Sequence, residues 1–86
     1  MSTTATGGRL WALIEHHRTS QAYPPSHRAL SQRVGITQTT LSNYRAPKGL
    51  PAREHLESLA LVIGVPYRMV LSAALVDVGY LDPEEV

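Results

Sequence analysis

Apolar residues recur along this chain at steps of three and four, punctuated by glycine and proline and nowhere in strict alternation. The pattern predicts five helices. Leu10, Trp11, Leu13 and Ile14 place the first over residues 8–18, and "TSQAYPPSH" breaks it, because two successive prolines cannot continue a helix. Ser26 is an N-cap for a second helix over 27–34, with Ala29, Leu30 and Val34 turned inward. Gly35 stops it, since glycine accepts the left-handed conformation of a tight turn. Thr37 caps a third helix over 38–45, whose only large apolar residues are Leu41 and Tyr44. After the loop "APKGLP" (46–51), Leu56, Leu59, Ala60 and Ile63 mark a fourth helix from about residue 52 to 63, ended by Gly64. Pro66 opens a fifth at a first-turn position, where its missing N–H costs nothing. That helix runs to about Val78 and is capped by Gly79. With no strand-type run and no repeat, the expected fold class is all-α: a compact five-helix domain over 8–80. A Ser/Thr/Gly-rich segment, 1–7, precedes it and is expected to be disordered, and a C-terminal tail or linker start, 81–86, follows.

The third helix is the anomaly, because "VGITQTTLSNYR" (34–45) is rich in hydroxyls and amides with little apolar surface to bury. Charge gives it a setting. The net charge of +1 conceals two opposite halves. Residues 1–53 carry Arg9, Arg18, Arg28, Arg33, Arg45, Lys48 and Arg53 against Glu15 alone, a balance of +6. Residues 54–86 carry Arg68 against Glu54, Glu57, Asp77, Asp82, Glu84 and Glu85, a balance of −5. Such a division suggests a basic working face and an acidic remainder. At 86 residues with no cysteine, the core must be stabilised by packing alone. The apolar stretches "LALVIGV" and "MVLSAALV" are too short to span a bilayer, and "MSTTATGGR" lacks the apolar core of a signal peptide. A soluble, cytoplasmic protein without a membrane partner is the expectation.

Helices 2 and 3 together read "HRALSQRVGITQTTLSNYRA" (27–46): a short helix, a tight turn and a second short helix. Such a unit needs a small residue where the helices cross (Ser31) and glycine at the turn (Gly35). It also needs apolar residues at Leu30, Val34, Ile36, Leu41 and Tyr44 to seat it, and every position is suitably filled. This is the pattern of a helix-turn-helix, whose second helix lies in the DNA major groove. Residues 9 to about 80 resemble the helix-turn-helix domain of the lambda repressor and Cro (XRE-type) family, and "LESLALVIGVPYRMVL" is similar to that family's fourth helix and its entry into the fifth. The chain departs from the family in the longer, proline-bearing link before helix 2, and in His27, where the family usually has glutamine.

The resemblance implies a sequence-specific transcriptional regulator of double-stranded DNA, of the phage or prophage repressor type, acting at a palindromic operator. Gln38, Thr39 and Asn43 lie opposite Leu41 and Tyr44 and match the family's base-reading positions. Glutamine and asparagine can bond adenine bidentately, and threonine can bond a base or touch a thymine methyl. By the same resemblance, the DNA backbone is held by His27, Arg28, Thr37, Thr40, Arg45, Lys48 and Arg53. The contrasting reading is a protein-interaction module of the same fold, antitoxin or anti-repressor-like, with weak or no DNA binding. Helix 5 is apolar on more than one face, so either the core wraps it or it offers a seam for self-association or for a further C-terminal region. Other chemistry finds no support. His16, His17, His27 and His55 lack ligand spacing for a metal, and there is no phosphate loop and no nucleophile motif. Neither an enzyme nor a cofactor is expected.

Overall fold

Five helices follow one another in the order α1 (Arg9–Thr19), α2 (His27–Val34), α3 (Gln38–Asn43), α4 (Arg53–Ile63) and α5 (Tyr67–Asp77). The computed structural model describes residues 8–82 and 84. The segment 1–7, expected to be disordered, and tail positions 83, 85 and 86 lie outside the described residues. Among the described residues there is no strand, as the periodicity predicts.

The helix boundaries follow their punctuation. Ser26 caps α2, its hydroxyl accepting from the Ala29 N–H, and Thr37 caps α3 by accepting from the Thr40 N–H. Gly35 has φ +89° at the end of α2, and the Ser31 carbonyl accepts there from both Gly35 and Ile36, at 2.9 and 3.0 Å. The α4–α5 turn repeats the device: Gly64 has φ +75°, and the Ala60 carbonyl accepts from Gly64 and Val65. Each glycine is followed by a half-buried aliphatic residue packed on the core, Ile36 or Val65, and then by the cap of the next helix. Pro66 itself occupies that cap, extended at φ −62° and ψ 144°, one residue ahead of the first-turn position expected of it.

The expected third helix is longer than the one observed: α3 stops at Asn43 rather than residue 45. The backbone N–H groups of Tyr44, Arg45 and Ala46 reach back three residues, to Leu41, Ser42 and Asn43, at 3.1, 3.1 and 3.3 Å. Pro47 explains this tightening, because its ring disfavours the helical conformation of the preceding Ala46, and the chain unwinds before reaching it.

One apolar cluster joins all five helices, with Leu10, Trp11 and Ile14 from α1, Leu30 and Val34 from α2, and Leu41 from α3 with Tyr44 just after it. Leu56, Leu59, Ala60 and Ile63 enter it from α4, and Val70, Ala73 and Ala74 from α5. Each fully buried Leu or Ile contributes about 1.5–3 kcal/mol of transfer free energy. α4 packs against α1, α2 and α5, α1 packs on α5, and α2 on α3. The radius of gyration is 12.3 Å, near the ~12 Å of a compact chain of this length. Much of α5's second apolar face is half-covered: Leu71, Leu75, Val76 and Val78 are intermediate in exposure, and Met69 is the α5 residue among the exposed large hydrophobics.

The two ends of the described chain are tied by Asp77, the last residue of α5. Its carboxylate accepts from the N–H groups of Arg9 and Leu10, at 2.8 and 3.0 Å, and so caps the start of α1. Gly8 is needed there for space, because a Cβ at that position would meet the Asp77 carboxylate.

Candidate nucleic-acid interface

α3 holds the polar residues singled out in the sequence, and its seating decides which of them face outward. Leu41 and Tyr44 are buried, and the Tyr44 hydroxyl lies 3.3 Å from His55 Nδ1 of α4, so one side of the helix is anchored. At about 100° per residue, Gln38, Thr39, Ser42 and Asn43 share an arc of about 140° on the other side. All four are exposed. The arc therefore presents two amides and two hydroxyls, with no apolar or acidic side chain between them.

Thr37 and Thr40, expected at the DNA backbone, form the start of α3 together. The Thr37 hydroxyl accepts from the Thr40 N–H at 3.0 Å and donates to the Thr40 hydroxyl oxygen at 2.8 Å, which leaves the Thr40 hydroxyl proton available. Around the helix, residues 27–53 hold Arg28, Arg33, Arg45, Lys48 and Arg53 without a single Asp or Glu. All five cations are exposed. Arg53 is partly committed, with its Nε donating to Glu57 at 3.0 Å on α4 and its guanidinium 5.4 Å from the Tyr67 ring. A pocket of about 330 Å³ between the end of α3 and the following loop is lined by Asn43, Tyr44, Lys48 and Pro51 among others.

His27, expected at the DNA backbone, is half-buried and engaged with α1. Its Nε2 lies 2.8 Å from Glu15 of α1, and its ring stacks on Trp11 with centroids 5.3 Å apart. Glu15 is in turn gripped by Arg18 through two bonds, at 2.9 and 3.1 Å, and Arg18 also donates to the Pro25 carbonyl. These bonds anchor the proline-bearing link between α1 and α2. The Arg18 hydrogen bonds hold the Glu15 carboxyl below the usual carboxylate range against the opposing effect of burial, and His27 adds to the lowering.

Sequence reasoning assigns Trp11 to the core alone. In the structure it also carries the Arg45 guanidinium, 4.8 Å from its ring centroid. No local signal marks that contact, since Trp11 and Arg45 lie on different elements and meet only in the fold. A groove of about 750 Å³ lies between α1 and α5 and takes no lining residue from α2 or α3. Among the described residues there is no group of three His, Cys, Asp or Glu placed to hold a metal, and no helix is long and apolar enough to cross a membrane. No family model, curated protein or solved structure matches the chain.

Proposed function

We propose that the chain is a sequence-specific DNA-binding module in which α2, the Gly35 turn and α3 act as a helix-turn-helix of the lambda-repressor type, α3 entering the major groove. The observation that carries this reading is the exposed Gln38–Thr39–Ser42–Asn43 arc on a helix clamped from behind by Leu41 and Tyr44, within a stretch that is cationic and free of carboxylates. Short amide and hydroxyl side chains are what base edges in the major groove accept. Gln38, Thr39 and Asn43 are the readers, and Arg28, Thr37, Thr40, Arg45 and Lys48 hold phosphates. Arg53 joins them through its remaining guanidinium N–H groups while its Nε holds Glu57, and His27 acts from behind rather than at the backbone. The role is that of a transcriptional regulator, a repressor that occludes an operator, rather than of an enzyme.

The test is selection of bound duplexes from a random pool, followed by affinity measurements across salt. We expect an enriched sequence. The logarithm of affinity should fall against the logarithm of salt by roughly 0.9 per phosphate neutralised by a cation, for about three phosphates (Arg28, Arg45 and Lys48) and about four where Arg53 joins. Arg28→Ala and Lys48→Ala should each flatten that slope by about one unit and weaken all sequences alike. An affinity indifferent to salt, or no enrichment over the starting pool, would overturn the reading.

A further inference from the structure

Residues from both ends of the α2–α3 unit converge on one side chain of α1. Trp11 is the chain's single tryptophan and only 6% exposed. His27, the first residue of α2, stacks on it at 5.3 Å with 30° between the ring planes, and Arg45, two residues beyond α3, places its guanidinium 4.8 Å from its ring centroid. The backbone of Arg45 is held at the entry to that helix, its carbonyl accepting from the N–H of Gly8, the residue before α1, at 3.1 Å. Behind His27 stands Glu15, one turn along α1 from Trp11, fixed by Arg18.

The cations of this surface are therefore not equivalent. A surface arginine ordinarily loses rotamer freedom when a ligand fixes it. A guanidinium carbon held 4.8 Å from the indole centroid gives up much of that freedom in advance, and the cation–aromatic attraction leaves its N–H donors for a phosphate. None of the ion pairs among the described residues engages Arg45, whereas Arg53 is paired with Glu57.

We propose that Trp11 is a platform that pre-positions Arg45 for a DNA phosphate, with His27 as a positioning residue that braces the indole through Glu15. The proposal rests on the DNA-binding reading and assigns unequal weight within it. Arg45 contributes more to the affinity for every sequence than Lys48 does, and part of its contribution is lost when the indole is removed, although Trp11 touches no DNA.

The experiment is a double-mutant cycle on binding to duplex DNA, using Trp11→Leu, Trp11→Phe, Arg45→Ala and each Trp11 variant combined with Arg45→Ala, with circular dichroism to establish folding. With Arg45 present, Trp11→Leu should weaken binding to all sequences by about five- to tenfold and Trp11→Phe by less, because a phenyl face retains part of the cation–aromatic attraction. In the Arg45→Ala background, both losses should shrink to about twofold or less. Should Trp11→Leu fail to fold, Trp11→Phe carries the same comparison. The wild type supplies a second readout that leaves the core intact: Trp11 emission should change on adding DNA and remain unchanged in Arg45→Ala. Equal losses in both backgrounds, or an emission change that survives Arg45→Ala, would make Trp11 a core residue only and overturn the platform while leaving DNA binding in place. A wild type that binds no duplex at all would overturn both.

Discussion

Gln38 and Asn43 stand on the same exposed arc of α3 but five residues apart, more than one helical turn, so as the proposed readers they would address different base pairs. Replacing either by alanine should cost about 1–3 kcal/mol on the selected site and little on random duplex, because a base contact discriminates while phosphate contacts do not. Competition binding against the two duplexes measures this directly. Equal weakening on both, with the proteins still folded, would remove α3 as the reader. Tyr44 gives a different residue-level test. Burial pushes its phenol above the ordinary tyrosine range. A folded-state value above the unfolded one means that the stabilisation is complete below about pH 10 and is lost as pH rises through the folded value. Stability should therefore decline above about pH 10 in the wild type and decline less steeply in Tyr44→Phe. Urea midpoints collected between neutral and alkaline pH provide the comparison, and matching alkaline slopes would show that another group is responsible.

At the scale of the elements, α1 depends on α5 for its cap. Gly8 offers no side-chain cap, and Asp77 supplies the acceptor from 67 and 68 residues away. Losing it in Asp77→Ala should cost about 1–2 kcal/mol, the upper part of the usual range for a cap because the acceptor is charged. In a domain of this size that is roughly 4–8 °C in melting temperature for each kcal/mol. Gly8→Ala should cost a similar amount by displacing the carboxylate, even though its φ of −95° suits any residue. The double variant should then be little worse than either single one, and additive losses in thermal melts would separate the two residues. The same contrast explains what could be read in the sequence. Ser26, Gly35, Thr37 and Gly64 act on neighbours within four positions, so the helices and turns they define were legible from local pattern, as was the inward face of α3. The end of α3 was missed because Pro47 acts backwards on residues whose polarity still looked helical. Asp77 on α1, and His27 and Arg45 on Trp11, join residues far apart in sequence. Only the packing brings them together, so the bracing of the candidate surface was not legible.

The whole molecule measures 33 × 32 × 23 Å, and half-sites on successive turns of one face of a duplex repeat at about 34 Å. Two copies so placed would be spaced by about one molecular width, close enough to touch at their edges but not to bury a broad surface. The apolar area for a stable free dimer is also limited. The α1–α5 groove is lined by the exposed but small Ala12, the half-buried Leu13 and Ser72 and the buried Ala73, with Met69 as its exposed large aliphatic side chain and Arg9 and Arg68 beside it. A stable interface needs about 1,000 Å² or more of buried surface, more than such edges supply, and bringing two like-charged rims together would weaken it further. The free protein should therefore sediment as a 9.4 kDa monomer at micromolar concentration, and two copies should assemble on a palindromic duplex with half-sites one turn apart. Inserting five base pairs between the half-sites would turn the second copy to the opposite side of the duplex. Any cooperativity from edge contact should then vanish while each half-site keeps its own affinity. Sedimentation velocity on the free protein and on both duplexes distinguishes these outcomes. A tight dimer without DNA would make the α1–α5 groove a self-association seam, and Met69→Lys, placed at its exposed aliphatic contact, should then dissociate it without affecting the residues of α3.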